Sequence, residues 1–256
     1  MSTAALRPRS ATEIVDASFQ IYRAHFGPLV LCSAIAYLPA ILMQLVLQAA
    51  PTESGLFGVG GKIAFFLIAA LVSLICYSLM AAVLTFCGSQ AYLGEPVDVG
   101  DAVRRAIPKI GAVIGVSILV YIAVMIGFLL LIVPGIILIA RYFASTPALV
   151  LENLSPMDAM RRSQALSKGR KGHILKTFSL MFAIYFLLAM GLGIVSALLR
   201  SITLQTVMSS ILTVCLYPLI SLMITLLYYD ARVQSEGLDI EMMAGALDPM
   251  PAPSAG

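Results

Sequence analysis

The feature that most constrains this chain is a series of long apolar stretches, at 28–48, 63–86, 110–133, 136–151, 177–199 and 207–228. Each approaches the about 20 residues that one bilayer crossing needs. Five hold no formal charge, and the fourth is short and carries Arg141. The stretches are continuously apolar, whereas barrel strands alternate over about ten residues, so a closed barrel is excluded. In lipid, helices are then the remaining way to satisfy the backbone. The expected fold is an all-α polytopic bundle of six transmembrane helices. Composition agrees, since 60% of the 256 residues are apolar and 11% charged, against about 25% charged in ordinary soluble domains. A net charge of +3, from 16 Lys and Arg against 13 Asp and Glu, also argues against a nucleic-acid reader.

The placement of charge orients the spans. With the amino terminus inside, thirteen of the basic residues fall in inner segments: Arg7, Arg9 and Arg23; Arg104, Arg105 and Lys109; Arg161, Arg162, Lys168, Arg170, Lys171 and Lys176; and Arg232. Only Lys62 and Arg200 fall outside. Positive-inside asymmetry over such short loops predicts cytoplasmic amino and carboxyl termini. Glu13 and Asp16 ahead of the first span do not suit a cleaved signal peptide. Cys32, Cys76, Cys87 and Cys215 lie in or beside apolar runs without CxxC spacing or a nearby His, which reads as buried small hydrophobes and predicts no metal.

Three amphipathic helices are expected on the cytoplasmic side. Before the first span, Ser10-Ala-Thr-Glu13 is a capping-box pattern, and Val15, Phe19, Tyr22 and Phe26 share one helical face suited to the headgroup plane. Before the third, Asp98 can cap a helix that Pro108 ends or kinks. Before the fifth, Ser155-Pro-Met-Asp158 sets Ser at the N-cap, Pro at the first position and an acid in the first turn. The pattern suggests a single domain over 1–241, built as a threefold repeat of interfacial helix plus hairpin (11–87, 98–151, 155–229), with a Pro-rich flexible tail at 242–256.

Several residues are candidates for function. Arg141, six residues past Gly135, would lie about 9 Å below the outer turn at 1.5 Å per residue. It reads either as the partner of a lipid phosphate or a carbonyl cluster, or as a side chain that snorkels to the surface. Gln44 and Tyr142 are the other candidate lipid or substrate contacts. Pro134 and Gly135 are expected to turn the chain between spans three and four, with Pro147 interrupting the fourth. Gly111 and Gly115 fit a small-residue packing pattern. Arg104, Arg105, Arg161, Arg162, Lys168, Arg170 and Lys171 form a basic patch attractive to anionic headgroups, at about 1 kcal/mol per charge near the surface. No acid falls within the apolar stretches, which argues against a carboxylate ion relay. His25 and His173 read as interface residues, and no hydrolase, metalloprotease or dinucleotide motif is present.

Segments 11–28 (ATEIVDASFQIYRAHFGP), 133–136 (VPGI), 152–169 (ENLSPMDAMRRSQALSKG) and 228–241 (YYDARVQSEGLDIE) together resemble the membrane domain attached to some bacterial glycerophosphoryl diester phosphodiesterases, and free-standing inner-membrane proteins built on it. The resemblance spans about 8–241. It implies a bacterial inner-membrane location and an anchor-like role, with hydrolysis belonging to a separate barrel domain for which this sequence has no room. His25 and His173 lack the following Arg of that barrel, so no catalytic residue, metal or cofactor carries over. The expectation is a non-enzymatic membrane module, acting as scaffold or accessory to a membrane-protein partner or to anionic phospholipid. The alternative is a lipid or small-molecule conduit lined by the broken span three to four hairpin and Arg141.

Overall fold

A computed structural model describes residues 9–49, 59–199 and 202–236. Among them the chain is wholly helical, an all-α polytopic bundle in which six segments are long and apolar enough to cross a membrane. The helices are α1 (Ala11–Ala24), α2 (Phe26–Ala49), α3 (Val59–Leu93), α4 (Val99–Ala106), α5 (Ile110–Leu130), α6 (Ile132–Tyr142), α7 (Ser145–Glu152), α8 (Pro156–Ser167), α9 (Lys171–Leu199) and α10 (Ile202–Glu236), with a 3-10 turn at Ile107–Lys109. Three times a short amphipathic helix precedes longer apolar ones: α1 before α2 and α3, α4 before α5 and α6, α8 before α9 and α10.

The local signals act as read. Ser10 and Glu13 close a reciprocal capping box, Asp98 accepts from the N–H groups of Gly100 and Asp101, and Ser155 accepts from Asp158 with Pro156 at the first helical position. Pro108 sits in the 3-10 turn that separates α4 from α5. Lys62's side chain, Arg7, Arg200 and the tail beyond Glu236 lie outside the described residues.

Two helices run well past their apolar stretches. Helices α3 and α10 each have 35 residues, about 52 Å at 1.5 Å per residue, against about 30 Å of hydrocarbon. Their surplus forms one end of the molecule, here the basal end. Arg9 at the start of α1 donates its N–H to the Asp230 carboxylate near the end of α10, and Arg170 before α9 donates to the Ala231 carbonyl. The core lies there: Leu219, Leu222, Met223, Leu226, Leu227 and Tyr228 of α10 are all buried, as are Met80, Val83, Leu84 and Cys87 of α3. Toward the other end the helices present apolar side chains outward, including Leu31, Ile35, Leu38 and Leu42 of α2, Phe66, Leu67 and Leu71 of α3, and Phe182, Phe186 and Leu187 of α9. On α2 the steps of four, three and four put the set on one face.

Three expectations are corrected. First, α1 does not present the Val15, Phe19, Tyr22, Phe26 face alone to a surface. It packs along α10 through Ile14, Val15, Ser18 and Tyr22, with Phe26 half exposed. The Tyr22 hydroxyl donates to the Cys215 carbonyl, and burial pushes its phenol up to about 12. Second, the chain reverses at Leu131, whose backbone is extended, rather than at Pro134-Gly135. Pro134 falls in the first turn of α6, where its missing N–H breaks no helical bond. Gly135 serves the contact: a Cβ there would stand 2.5 Å from the Phe128 ring, and one on Gly127 would stand 3.0 Å from the Gly135 Cα. Only glycines let the two backbones approach so closely. Third, the fourth span is two helices, broken at Phe143 and Ala144, with Pro147 inside the first turn of α7.

Candidate functional site

Two carboxylates, the partly buried Glu152 and the buried Asp230, organise the basal end, and both lie just beyond the apolar stretches drawn from sequence. Glu152 ends α7. It receives Arg162 Nε of α8 on both oxygens, at 3.0 and 2.9 Å, and the Tyr228 hydroxyl of α10 at 2.6 Å, with Arg232 at 3.9 Å. Asp230 takes the Arg9 N–H at 2.8 Å and Gln234 Nε2 at 2.7 Å, with His173 Nε2 at 3.7 Å. The apolar stretches themselves hold no acid, but α10 continues unbroken through Asp230, whose side chain is 4% exposed. Lys109 Nζ donates to the Val150 carbonyl, and Ser89 and Tyr229 share a hydrogen bond at 2.6 Å. These bonds tie α1, α3, α5, α7, α8, α9 and α10 into one end.

The candidate contacts separate into two places. Gln44 donates to the Tyr37 hydroxyl within α2, beside a tilted aromatic cluster of Tyr37, Tyr77 and Tyr217. Arg141 and Tyr142 are together elsewhere. Helix α6 ends at Tyr142, so Arg141 occupies its last turn, next to α8. Its guanidinium donates to Gln164 Oε1 at 2.6 Å and lies 5.9 Å from the centre of the Tyr142 ring. Gln164 Nε2 donates in turn to the Tyr142 hydroxyl at 3.2 Å. The α8 hydroxyls close the helix break: Ser163 accepts the Ala144 N–H, and Ser163 and Ser167 both donate to the Arg141 carbonyl.

Above this junction a cleft of about 320 Å³ opens between α5 and the α6–α7 break, lined by Ser117, Val120, Tyr121, Val124, Tyr142, Ser145 and Thr146. Five of these seven carry hydroxyls, and the lining has no charge. A second cavity of about 130 Å³ shares Thr146 and lies against Thr85, Tyr217 and Ser221. Ser145 is buried and its Oγ has no hydrogen-bond partner.

The basic patch divides by role. Arg162 and Arg170 turn inward, onto Glu152 and the Ala231 carbonyl. Arg105 pairs with Asp101 and Arg161 with Asp158 on the surface, while Arg104, Lys168 and Lys171 are exposed. Of the packing glycines, Gly115 meets Pro156 of α8 and Gly111 meets nothing. No cluster of His, Cys, Asp and Glu suited to a metal occurs among the described residues. No protein-family model, curated protein or solved structure matches the chain.

The hydroxyl lining and the two carboxylates escaped the sequence reading. Ser145 and Thr146 sit in an apolar stretch where an isolated hydroxyl is unremarked, and only the break at Phe143 and Ala144 opens α7 toward α5. Glu152 and Asp230 had a usable signal, as each is an acid at the edge of an apolar stretch, Asp230 also beside Tyr228, Tyr229 and Arg232.

Proposed function

We propose that this protein is a non-enzymatic module of a bacterial inner membrane, a scaffold or accessory to a membrane-protein partner that also touches anionic lipid, with both chain ends on the cytoplasmic side. The observation that carries this reading is the sorting of charge at the basal end. Asp230 and Glu152 are consumed by internal partners and Asp101 and Asp158 pair on the surface with Arg105 and Arg161, while Arg104, Lys168 and Lys171 face outward beside the exposed Asp16, Glu95 and Asp98. Cations displayed in this way attract anionic headgroups.

Two measurements test it. A cysteine placed at Lys168 in intact cells is expected to react with an impermeant reagent only after the membrane is opened, and reaction from the outside would overturn the orientation. Mild-detergent purification from native membranes is expected to retain anionic phospholipid and a defined membrane-protein partner. Turnover of a phosphodiester by the pure protein would overturn the non-enzymatic reading.

The conduit reading draws on the two cavities that meet at Thr146. It requires labelled phospholipid to equilibrate between leaflets of proteoliposomes faster than in empty vesicles, which the scaffold reading does not.

A further inference from the structure

Four hydroxyl residues in the cleft between α5 and the α6–α7 break, Ser117, Tyr121, Ser145 and Thr146, make no side-chain hydrogen bond to any described residue. Hydrocarbon supplies no partner, and an unsatisfied polar group there is costly. Ser145 is the sharpest case, being 2% exposed with an orphan hydroxyl. The same place offers further donors. Helix α7 begins after Ala144, which has no capping side chain. The N–H of Ala144 is taken by Ser163 Oγ, and the Arg141 carbonyl, one turn before Ser145, already accepts from two α8 hydroxyls. The amino-terminal turn of α7, with no side-chain cap, carries Ser145 and Thr146 into the hydroxyl-lined space, with the positive end of the helix dipole beside it.

Beside the cleft's Tyr142, with its guanidinium 5.9 Å from that ring's centre, stands Arg141, exposed, hydrogen-bonded to a neutral amide and with no carboxylate partner among the described residues. Donors without acceptors, a helix amino terminus and an unneutralised guanidinium call for an anion with several oxygens. The location selects its source. Ser117 lies seven residues along α5 from Ile110, about 10 Å at 1.5 Å per residue, so a ligand there sits inside the apolar stretch yet near one leaflet's headgroups. The flank is apolar: Ile118, Tyr121, Ile122 and Met125 are exposed beside the cleft.

We propose that this cleft is a binding site for the phosphodiester and glycerol region of one anionic phospholipid, with Arg141 holding the phosphate, Ser145, Thr146 and Ser117 bonding its oxygens, and the acyl chains lying on Ile118, Ile122 and Met125. It rests on the reading of the protein as a lipid-touching membrane module and names the site and lipid class.

The full-length protein in mild detergent is titrated with phosphatidylglycerol, with phosphatidylcholine and with sn-glycerol 3-phosphate, and occupancy is read by native mass spectrometry alongside the melting temperature. Wild type is expected to hold one phosphatidylglycerol in preference to phosphatidylcholine. Arg141→Gln should weaken that binding about tenfold, the worth of one charge-assisted hydrogen bond. Ser145→Ala and Thr146→Val should weaken it without lowering the melting temperature of the lipid-free protein, because removing an orphan hydroxyl costs the fold nothing. Wild-type affinity in all three variants overturns the site while the module reading stands. Displacement of the lipid by equal sn-glycerol 3-phosphate overturns the lipid as the ligand. A wild type that binds no phospholipid overturns both.

Discussion

Helices α9 and α10 are nearly indistinguishable in mean hydropathy, yet 56% of the most apolar stretch of α10 is buried against 6% of that of α9. One is the axis of the bundle and the other an outer stave. In water such a difference would show in composition, because the outer helix would carry a polar face. In a membrane the outer helix faces lipid tails as apolar as the core, so hydropathy cannot tell the two apart. What distinguishes α10 is its extension. Its last turns carry Tyr228, Asp230 and Arg232 into the basal end, where hydrogen bonds to α7 and to the residues leading into α1 and α9 enclose it.

That contrast is open to attack where it is strongest. Glu152→Ala removes the carboxylate that receives Arg162 and Tyr228 and leaves a half-buried guanidinium without its partner. A loss of about 3–5 kcal/mol is expected, read as an early transition in detergent unfolding, and an unchanged transition would mean that the basal network does not hold the bundle. The axis against the stave is tested by a matched pair. Leu222→Ala, at a site of 0% exposure, should cost about 2–5 kcal/mol. Leu187→Ala, at 62% exposure on α9, should cost less than about 0.5 kcal/mol. Equal losses would erase the comparison. Between those two values falls Gly135→Ala, which places a methyl against the Phe128 ring. Because that ring can move, a cost of about 1–3 kcal/mol is expected, with cross-linking between cysteines on α5 and α6 reporting whether the hairpin has splayed.

Legibility from sequence followed the range of the interaction. Caps were readable because Ser10, Asp98 and Ser155 act on residues two or three positions away. The reversal between α5 and α6 was placed three residues late, since Pro134 and Gly135 look like a turn but act as a tolerated first-turn proline and a close-packing glycine. Arg141 was legible as unusual, but its partner was not, because it depends on α6 stopping at Tyr142 and on α8 folding back to offer Gln164. Gln44 was grouped with it by polarity alone. Nothing local says that Gln44 meets Tyr37 on its own helix instead.

The sequence by itself determined an all-helical polytopic bundle, six apolar helices and three short amphipathic ones with their starts. These are properties of length, charge and spacing within about a turn of helix, and in lipid the backbone permits little else. Tertiary structure alone decided that α10 is the axis, that Glu152 and Asp230 are internal anchors, and that Ser117, Ser145 and Thr146 share a cleft. Those facts depend on residues up to 221 positions apart, as Arg9 and Asp230 are. Where core and lipid are equally apolar, only packing and hydrogen-bond satisfaction choose between them.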